Sequence, residues 1–234
     1  MNPALNFFFL WEFLHSLFSG ELAISIGSGN GTTEAHIASS KKTRFICCDP
    51  DPTSFQNDDG PQIPPHFPTV DHFLANCKDV PDVALLCWPS PNIHQWDMEA
   101  IAKLATRGVR RFVLVLETCG GAGSHLLNYW LQHYVNHNGN ELAFCDVLRH
   151  TTGDPSMDEV VRMMYSAREF VPTDEDKDVL ERMPKCRITS MKKQEVFKFK
   201  EALALQAFMM TGNPVMMANG WDQSCWTVME MFLE

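Results

Sequence analysis

The sequence predicts an α/β fold in which helices cover both faces of a mostly parallel sheet. First, the apolar run Leu22 to Ile26 ends in a glycine-rich turn, and a helix start follows at Thr32. Second, further apolar runs alternate with helical stretches along residues 43–137. Third, residues 142–151 and 159–170 read as two strands joined by a turn. Together these patterns predict a doubly wound, seven-stranded sheet whose last strand is antiparallel.

Length and composition fit one domain with appendages. The chain has 234 residues, of which 45% are hydrophobic and 21% are charged, as is ordinary for a globular protein. Its net charge of −10 argues against broad binding to nucleic-acid backbones, which requires clustered lysine and arginine. The eight cysteines are scattered without a C-x-x-C pair, so reduced thiols in a cytoplasmic or nuclear protein are expected.

Residues 1–20 predict a helix packed on the domain. At helical spacing, three large apolar side chains share one face: Phe9, Phe13 and Leu17. The apolar run lacks a basic leader, is interrupted by Glu12 and His15, and is too short to cross a bilayer. Neither a signal sequence nor a transmembrane segment is therefore predicted. The alternative for this helix is an exposed contact with a membrane or a partner.

The glycine-rich turn predicts a ligand site. It consists of Gly27, Ser28, Gly29, Asn30 and Gly31. Glycines permit positive φ angles and let a ligand lie directly on the backbone, while the next helix directs free N–H groups at the same point. The spacing is G-x-G-x-G, whereas the dinucleotide motif would place its third glycine at Thr32, which disfavours an NAD-dependent enzyme. The alternative is an ordinary turn between a strand and a helix.

Asp49 is predicted to form a second part of the same ligand site. It follows the next apolar strand, residues 43–48, at roughly the spacing that nucleoside sites use. Its two carboxylate oxygens can accept both hydroxyls of a ribose. The alternative is that Asp49 only caps the turn before Pro50.

The region after this strand is rich in proline. Six prolines between residues 50 and 68 exclude a regular helix there. The third strand is accordingly expected to be short, at Thr69 to Phe73. Asp71 is predicted to contact an adenine amino group, and an exposed loop position is an equal alternative.

The fourth and fifth strands are predicted to carry the substrate side of the site. Residues 80–87 lead into the loop Trp88-Pro89-Ser90-Pro91, and residues 111–116 end at Glu117. Trp88 offers a flat apolar face and Ser90 offers one hydroxyl. Glu117 is predicted to orient a nucleophile or to accept its proton, or alternatively to cap the glycine-rich turn that follows.

Helices are predicted at residues 94–106 and 124–137, within a main domain of residues 21–171. Residues 172–234 predict an accessory cap or a partner-binding extension, because the strand and helix alternation breaks there. His133 and His137 are four residues apart, but no carboxylate or third ligand accompanies them in a zinc pattern, so no metal site is predicted.

Over roughly residues 20–170 the chain resembles the class I S-adenosylmethionine-dependent methyltransferases. The motifs that carry this resemblance are SIGSGNG, CCDPD, DVALLCWPSP and the terminal pair of strands. The resemblance implies a Rossmann-like fold, S-adenosylmethionine as cofactor, and methyl transfer to an acceptor that the sequence does not identify. It also implies cofactor contacts from the glycine turn, Asp49, Asp71 and Cys87, and acceptor contacts from Trp88, Ser90 and Glu117.

The alternative is a catalytically inactive protein that keeps this fold and binds a protein partner through the C-terminal segment or the N-terminal helix, or associates with itself through the C-terminal segment. Two features favour it. Ser25 stands where the superfamily usually has an acidic residue. In addition, Cys87 to Pro91 differs from the Asp/Asn-Pro-Pro-aromatic motif of amine methyltransferases.

Overall fold

A computed structural model describes residues 8–51, 60–87, 89, 95–117, 122–139, 170–196 and 224–234. Within these ranges the strands are β1 (Leu22–Ile26), β2 (Arg44–Cys48), β3 (Val83–Cys87), β4 (Arg111–Glu117), β5 (Cys186–Val196) and β6 (Ser224–Leu233). The helices are α1 (Phe8–Ser16), α2 (Thr32–Lys41), α3 (Val70–Asn76), α4 (Trp96–Arg107), α5 (His125–His133) and α6 (Asp174–Arg182).

The described strands form one sheet in the order β2-β1-β3-β4-β6-β5. The first four strands in this order are parallel, and β6 is antiparallel to both of its neighbours. In the parallel part of the sheet, Ile24 of β1 is paired with Ile46 of β2 on one side and with Ala84 of β3 on the other. The doubly wound α/β fold with an antiparallel closing strand is therefore confirmed.

The order of the strands reverses between β1 and β3. From β1 the chain runs outward to β2 and then returns to β3 on the other side of β1. Ligands of open parallel sheets bind outside the carboxyl ends of the strands at such a reversal. The glycine turn lies at this point, directly after β1.

Helices cover both faces of the sheet. On one face, Leu14 at α1, Phe18 just beyond α1 and Ile37 of α2 are buried against the strands. On the other face, buried side chains of α3, α4, α5 and α6 pack on the sheet, among them Phe73, Leu104 and Trp130. Among the helices of the described ranges, none is long and apolar enough to cross a membrane.

The predicted third strand at Thr69 to Phe73 is wrong, because this segment begins helix α3. The Thr69 hydroxyl accepts a hydrogen bond from the His72 N–H at 3.2 Å and caps the helix. Val70 and Phe73 are both buried, and their spacing of three residues suits a helix rather than a strand. The described residues contribute six strands to the sheet, and residues 69–73 are not among them.

A single β-bridge stands beside β2 in place of a third strand. It joins Cys48 to Phe67, and the Asp49 N–H donates to the Phe67 carbonyl at 3.1 Å. Prolines at positions 61, 64, 65 and 68 have no N–H to donate, so the pairing cannot lengthen into a ladder.

The strands expected to close the sheet, residues 142–151 and 159–170, lie outside the described residues except for Phe170, which belongs to no strand. The described sheet closes instead with β5 and β6. Both come from residues 172–234, which the sequence assigned to an accessory cap. Part of that segment is therefore integral to the sheet.

Arg111 of β4 ties the end of helix α1 to the sheet. Its guanidinium contacts Glu21 Oε1 at 2.8 Å and Glu230 Oε1 of β6 at 2.7 Å, and it also donates to the Leu17 carbonyl. All three charged side chains are largely buried. The N-terminal helix thus packs on the domain through apolar contacts and through this ionic junction.

Candidate functional site

The glycine turn adopts a conformation that favours glycine at three positions. The φ angles of Gly27, Gly29 and Gly31 are 70°, 57° and 73°, in the left-handed region that side chains with a Cβ rarely adopt. At Gly31 the space is also closed, because an added Cβ would lie 2.0 Å from the Ile63 carbonyl oxygen. The local fold therefore requires the glycines that the sequence places there.

Hydrogen bonds hold the turn against the end of β2. The Gly27 N–H donates to the Cys48 carbonyl at 2.9 Å, and the Gly29 N–H donates to Asp49 Oδ2 at 2.7 Å. Helix α2 then begins with a bond from the Ala35 N–H to the Gly31 carbonyl at 2.9 Å. Since both ends of the turn are fixed, its shape is set before any ligand binds.

Asp49 lies half-buried beside the turn. Its Oδ2 accepts the Gly29 N–H, and its Oδ1 accepts the Asp51 N–H at 2.8 Å. Asp49 thus caps the turn at Pro50, which is one of the two roles considered for it from the sequence. Each carboxylate oxygen can accept two hydrogen bonds, so each retains capacity for a ligand hydroxyl.

A buried carboxyl group that the sequence reasoning missed lies beneath the turn. Glu34, in the first turn of α2, is 1% exposed, and its Oε1 accepts the Ser25 hydroxyl of β1 at 2.5 Å. Burial raises its pKa to about 7; the negative charge of Asp49 acts in the same direction, and the Ser25 hydrogen bond opposes both. The available signal was a serine inside an apolar strand together with a glutamate at the start of the following helix.

Trp96 is a second residue that the sequence reasoning missed. It is half-buried as the first residue of α4, and an added Cβ at Gly27 would lie 3.1 Å from its indole ring. The ring therefore lies against the glycine turn, at the reversal point between β1 and β3. A tryptophan at a helix start shortly after a strand of the sheet was the only sequence signal for it.

The structure places Cys87 at the end of β3, half-buried. Its thiol contacts the Thr33 hydroxyl, while burial and the nearby charge of Glu34 raise the pKa of the thiol above its usual range. The thiol is therefore neutral. It presents a small, weakly polar surface and is not a nucleophile. Trp88 and Ser90 lie outside the described residues, as does the side chain of Glu117 at the end of β4.

The loops after β3 and β4 are joined at this edge of the sheet. The Gly123 N–H donates to the Pro89 carbonyl at 2.6 Å, and buried Asp97 accepts the Ser124 N–H at 2.6 Å. Ser124 in turn caps helix α5. The carboxyl ends of these two strands are thereby held together.

Asp71 lies on helix α3, where its carboxylate contacts Lys103 Nζ of α4 at 3.0 Å. In the structure, Asp71 therefore forms an exposed ion pair with Lys103. Across the described ranges, no group of three or more His, Cys, Asp or Glu side chains is arranged to hold a metal ion.

The residues at the turn offer three features that a ligand can contact. The glycine backbone offers a surface without side chains, Asp49 retains acceptor capacity for hydroxyls, and Glu34 Oε2 is buried without a hydrogen-bond partner. A buried oxygen of this kind needs a hydrogen-bonding partner that the described protein groups do not supply, such as an ordered water or a ligand.

Comparison with known proteins identifies the fold. No protein-family model matches the sequence, and no curated protein matches it significantly. A candidate methyltransferase from an antibiotic biosynthesis pathway of Anabaena variabilis matches at 12% identity with a TM-score of 0.50, over 97% of both chains.

Two further structures are less similar. A candidate sarcosine dimethylglycine methyltransferase from Galdieria sulphuraria has 10% identity and a TM-score of 0.48, over 96% of this chain and 85% of its own. Phosphoethanolamine N-methyltransferase 2 of Haemonchus contortus, solved with S-adenosylhomocysteine, has 10% identity and a TM-score of 0.45, over 99% of this chain and 53% of its own.

Proposed function

We propose that the protein, which has the fold of the class I S-adenosylmethionine-dependent methyltransferases, binds S-adenosylmethionine and transfers its methyl group to an acceptor. One observation carries this proposal. Asp49 and a rigid glycine turn with three left-handed glycines meet at the strand reversal of a methyltransferase-type sheet. Cys87 ends the neighbouring strand β3, at the same edge of the sheet.

The residues at the turn have distinct roles in this proposal. The backbone at Gly29 leaves room for the ligand, Asp49 accepts the ribose hydroxyls, and the neutral Cys87 thiol contacts the cofactor as a weakly polar surface. When bound, the cofactor supplies an already activated methyl group, so the protein needs mainly to position the acceptor and exclude water. Trp88, Ser90 and Glu117 remain the proposed acceptor side, and Asp71 remains a proposed adenine contact.

The turn can be tested directly by calorimetry with S-adenosylmethionine. Gly29→Val places a branched side chain at a left-handed position in the proposed site, so we expect binding to be lost. Gly139→Val is the matched control, because Gly139 also has a positive φ of 80° but has nothing within 4 Å of an added Cβ. A folded Gly29→Val protein with wild-type affinity would show that the site is elsewhere.

The interaction-protein alternative is distinguished by turnover. With bound cofactor and a panel of amine, hydroxyl and thiol acceptors, an enzyme forms S-adenosylhomocysteine at a rate that depends on the acceptor. Tight binding without any acceptor-dependent product across the panel would favour a non-catalytic protein that keeps the cofactor site.

A further inference from the structure

The carboxyl group of Glu34 has one oxygen that no protein group satisfies. Oε1 accepts the Ser25 hydroxyl at 2.5 Å, whereas Oε2 is buried without a hydrogen-bond partner. The side chain as a whole is 1% exposed. A buried oxygen of this kind costs free energy, more so when the group is charged, unless a ligand or an ordered water supplies the missing partner.

Glu34 lies among the carboxyl ends of three parallel strands. Ser25 belongs to β1, Cys47 and Asp49 lie at the end of β2, and Cys87 ends β3. The titratable groups that face Glu34 from these strands are the Asp49 carboxylate and the two thiols, which interact with it electrostatically. Burial and the charge of Glu34 keep the pKa of both thiols above the usual range, so they are neutral. Asp49 adds negative charge, and none of these groups is positive.

Neither protonation state of Glu34 is well accommodated by these neighbours. As the acid, Glu34 can share its proton with the Ser25 hydroxyl through Oε1, but Oε2 still has no partner. As the carboxylate, it accepts from the Ser25 hydroxyl and its own backbone N–H, but its charge lies close to that of Asp49 and away from water. Because its pKa is about 7, both states are populated near neutral pH. A positively charged group beside Oε2 would favour the carboxylate and supply the missing partner.

We propose that Glu34 is the acidic residue of the cofactor site that pairs with the ligand's positive charge, and that it releases its proton to solvent when the ligand binds. This inference rests on the proposed function, because S-adenosylmethionine carries both a sulfonium and an ammonium group. The reaction is a simple ionisation: the carboxylic acid becomes a carboxylate, and one proton passes to the buffer.

Proton release can be measured by titration calorimetry near pH 6.5 in two buffers that differ in ionisation enthalpy. At this pH the α-amino group of the ligand is fully charged and does not contribute. We expect the wild type to release on the order of half a proton or more per ligand, and its affinity to rise about fivefold from pH 6 to pH 7. Affinity rises with pH because the free site must lose a proton that the bound site does not hold.

Glu34→Gln should bind the ligand without proton release, and its affinity should not change over this pH range. Glu175→Gln is the matched control, since Glu175 is an exposed glutamate in the first turn of α6 and should behave as wild type. Should Glu34→Gln not fold, Ser25→Ala provides a second test. It removes a hydrogen bond that lowers the pKa of Glu34, so proton release should extend to higher pH.

The result that overturns this inference is binding with equal proton release, or with none, in the wild type and Glu34→Gln. Absence of any binding would instead overturn the proposed function, and this inference with it. S-adenosylhomocysteine, whose sulfur is uncharged, identifies the partner group. Proton release with both ligands assigns Glu34 to the ammonium group, and release with S-adenosylmethionine alone assigns it to the sulfonium.

Discussion

At the scale of single residues, Asp49 has hydrogen-bonding capacity for a turn cap and for a ligand at the same time. Each of its oxygens accepts one backbone N–H, from Gly29 and from Asp51. Each oxygen has a second lone pair, so the two explanations weighed for Asp49 from the sequence, a turn cap and a ribose ligand, are compatible.

We expect Asp49→Ala to weaken S-adenosylmethionine binding by about 1.5–3 kcal/mol, the range for hydrogen bonds to a charged group. Asp51→Ala is the control, because Asp51 is exposed and its contribution to the Asp49 cap is a backbone N–H that the substitution keeps. Titration calorimetry on both variants measures the difference. Equal losses, or no loss in either variant, would remove Asp49 from the site.

Glu34 and Trp96 show why part of the site could not be predicted from the sequence. The glycines and Asp49 belong to a motif with fixed spacing, so local sequence was sufficient to locate them. Glu34 is functionally interesting only because α2 folds back onto β1 and buries it beside Ser25. Trp96 meets Gly27 only through the packing of α4 on the sheet. Both depend on tertiary contacts that local patterns do not encode.

At the scale of secondary-structure elements, the apolar runs of β1 to β4 were sufficient to predict the parallel strands. The closing hairpin was not predictable in the same way, because β4 pairs with β6, whose residues lie more than a hundred positions further along the chain. The prediction of a strand in place of helix α3 was wrong for a different reason. Residues 69–73 form a short segment, and a pattern of only five residues does not distinguish the start of a capped helix from a strand.

Helix α3 depends on its cap, and Thr69→Ala tests this assignment. Loss of the bond from the His72 N–H should lower the free energy of unfolding by about 1 kcal/mol. Thr106→Ala is the control, since the exposed Thr106 hydroxyl only bonds back to the Ala102 carbonyl within α4, and alanine has the higher helix propensity. Urea denaturation of both variants gives the comparison. A cost at Thr69 no larger than at Thr106 would argue against the cap.

At the scale of the whole molecule, Arg111 connects the N-terminal helix, the start of β1 and strands β4 and β6. The side chains of Arg111, Glu21 and Glu230 are only 17%, 11% and 15% exposed. Backbone hydrogen bonds and the Arg111 guanidinium together lower the pKa of Glu21, even though burial acts in the opposite direction. The junction therefore keeps Glu21 in its charged form although its side chain is largely buried.

Arg111→Met should lower the free energy of unfolding on the order of 3 kcal/mol, because two largely buried carboxylates would lose their counter-charge. Lys103→Met is the matched control, since Lys103 also contacts two carboxylates, but at 38% exposure, and should cost less than about 1 kcal/mol. Chemical denaturation followed by circular dichroism measures both values. Equal costs would show that the junction adds nothing beyond a surface ion pair.

The proline-rich flank of β2 has a consequence for how the protein behaves at high concentration. An outer strand normally exposes a row of N–H and C=O groups that a second molecule can pair with, which is a route to aggregation. Here the Cys47 carbonyl already accepts the His66 and Phe67 N–H groups, and the Cys47 N–H donates to His66 Nδ1. Because the prolines around this flank have no N–H to offer, the end of β2 at Cys47 and Cys48 is closed to edge-to-edge growth of the sheet from one molecule to the next.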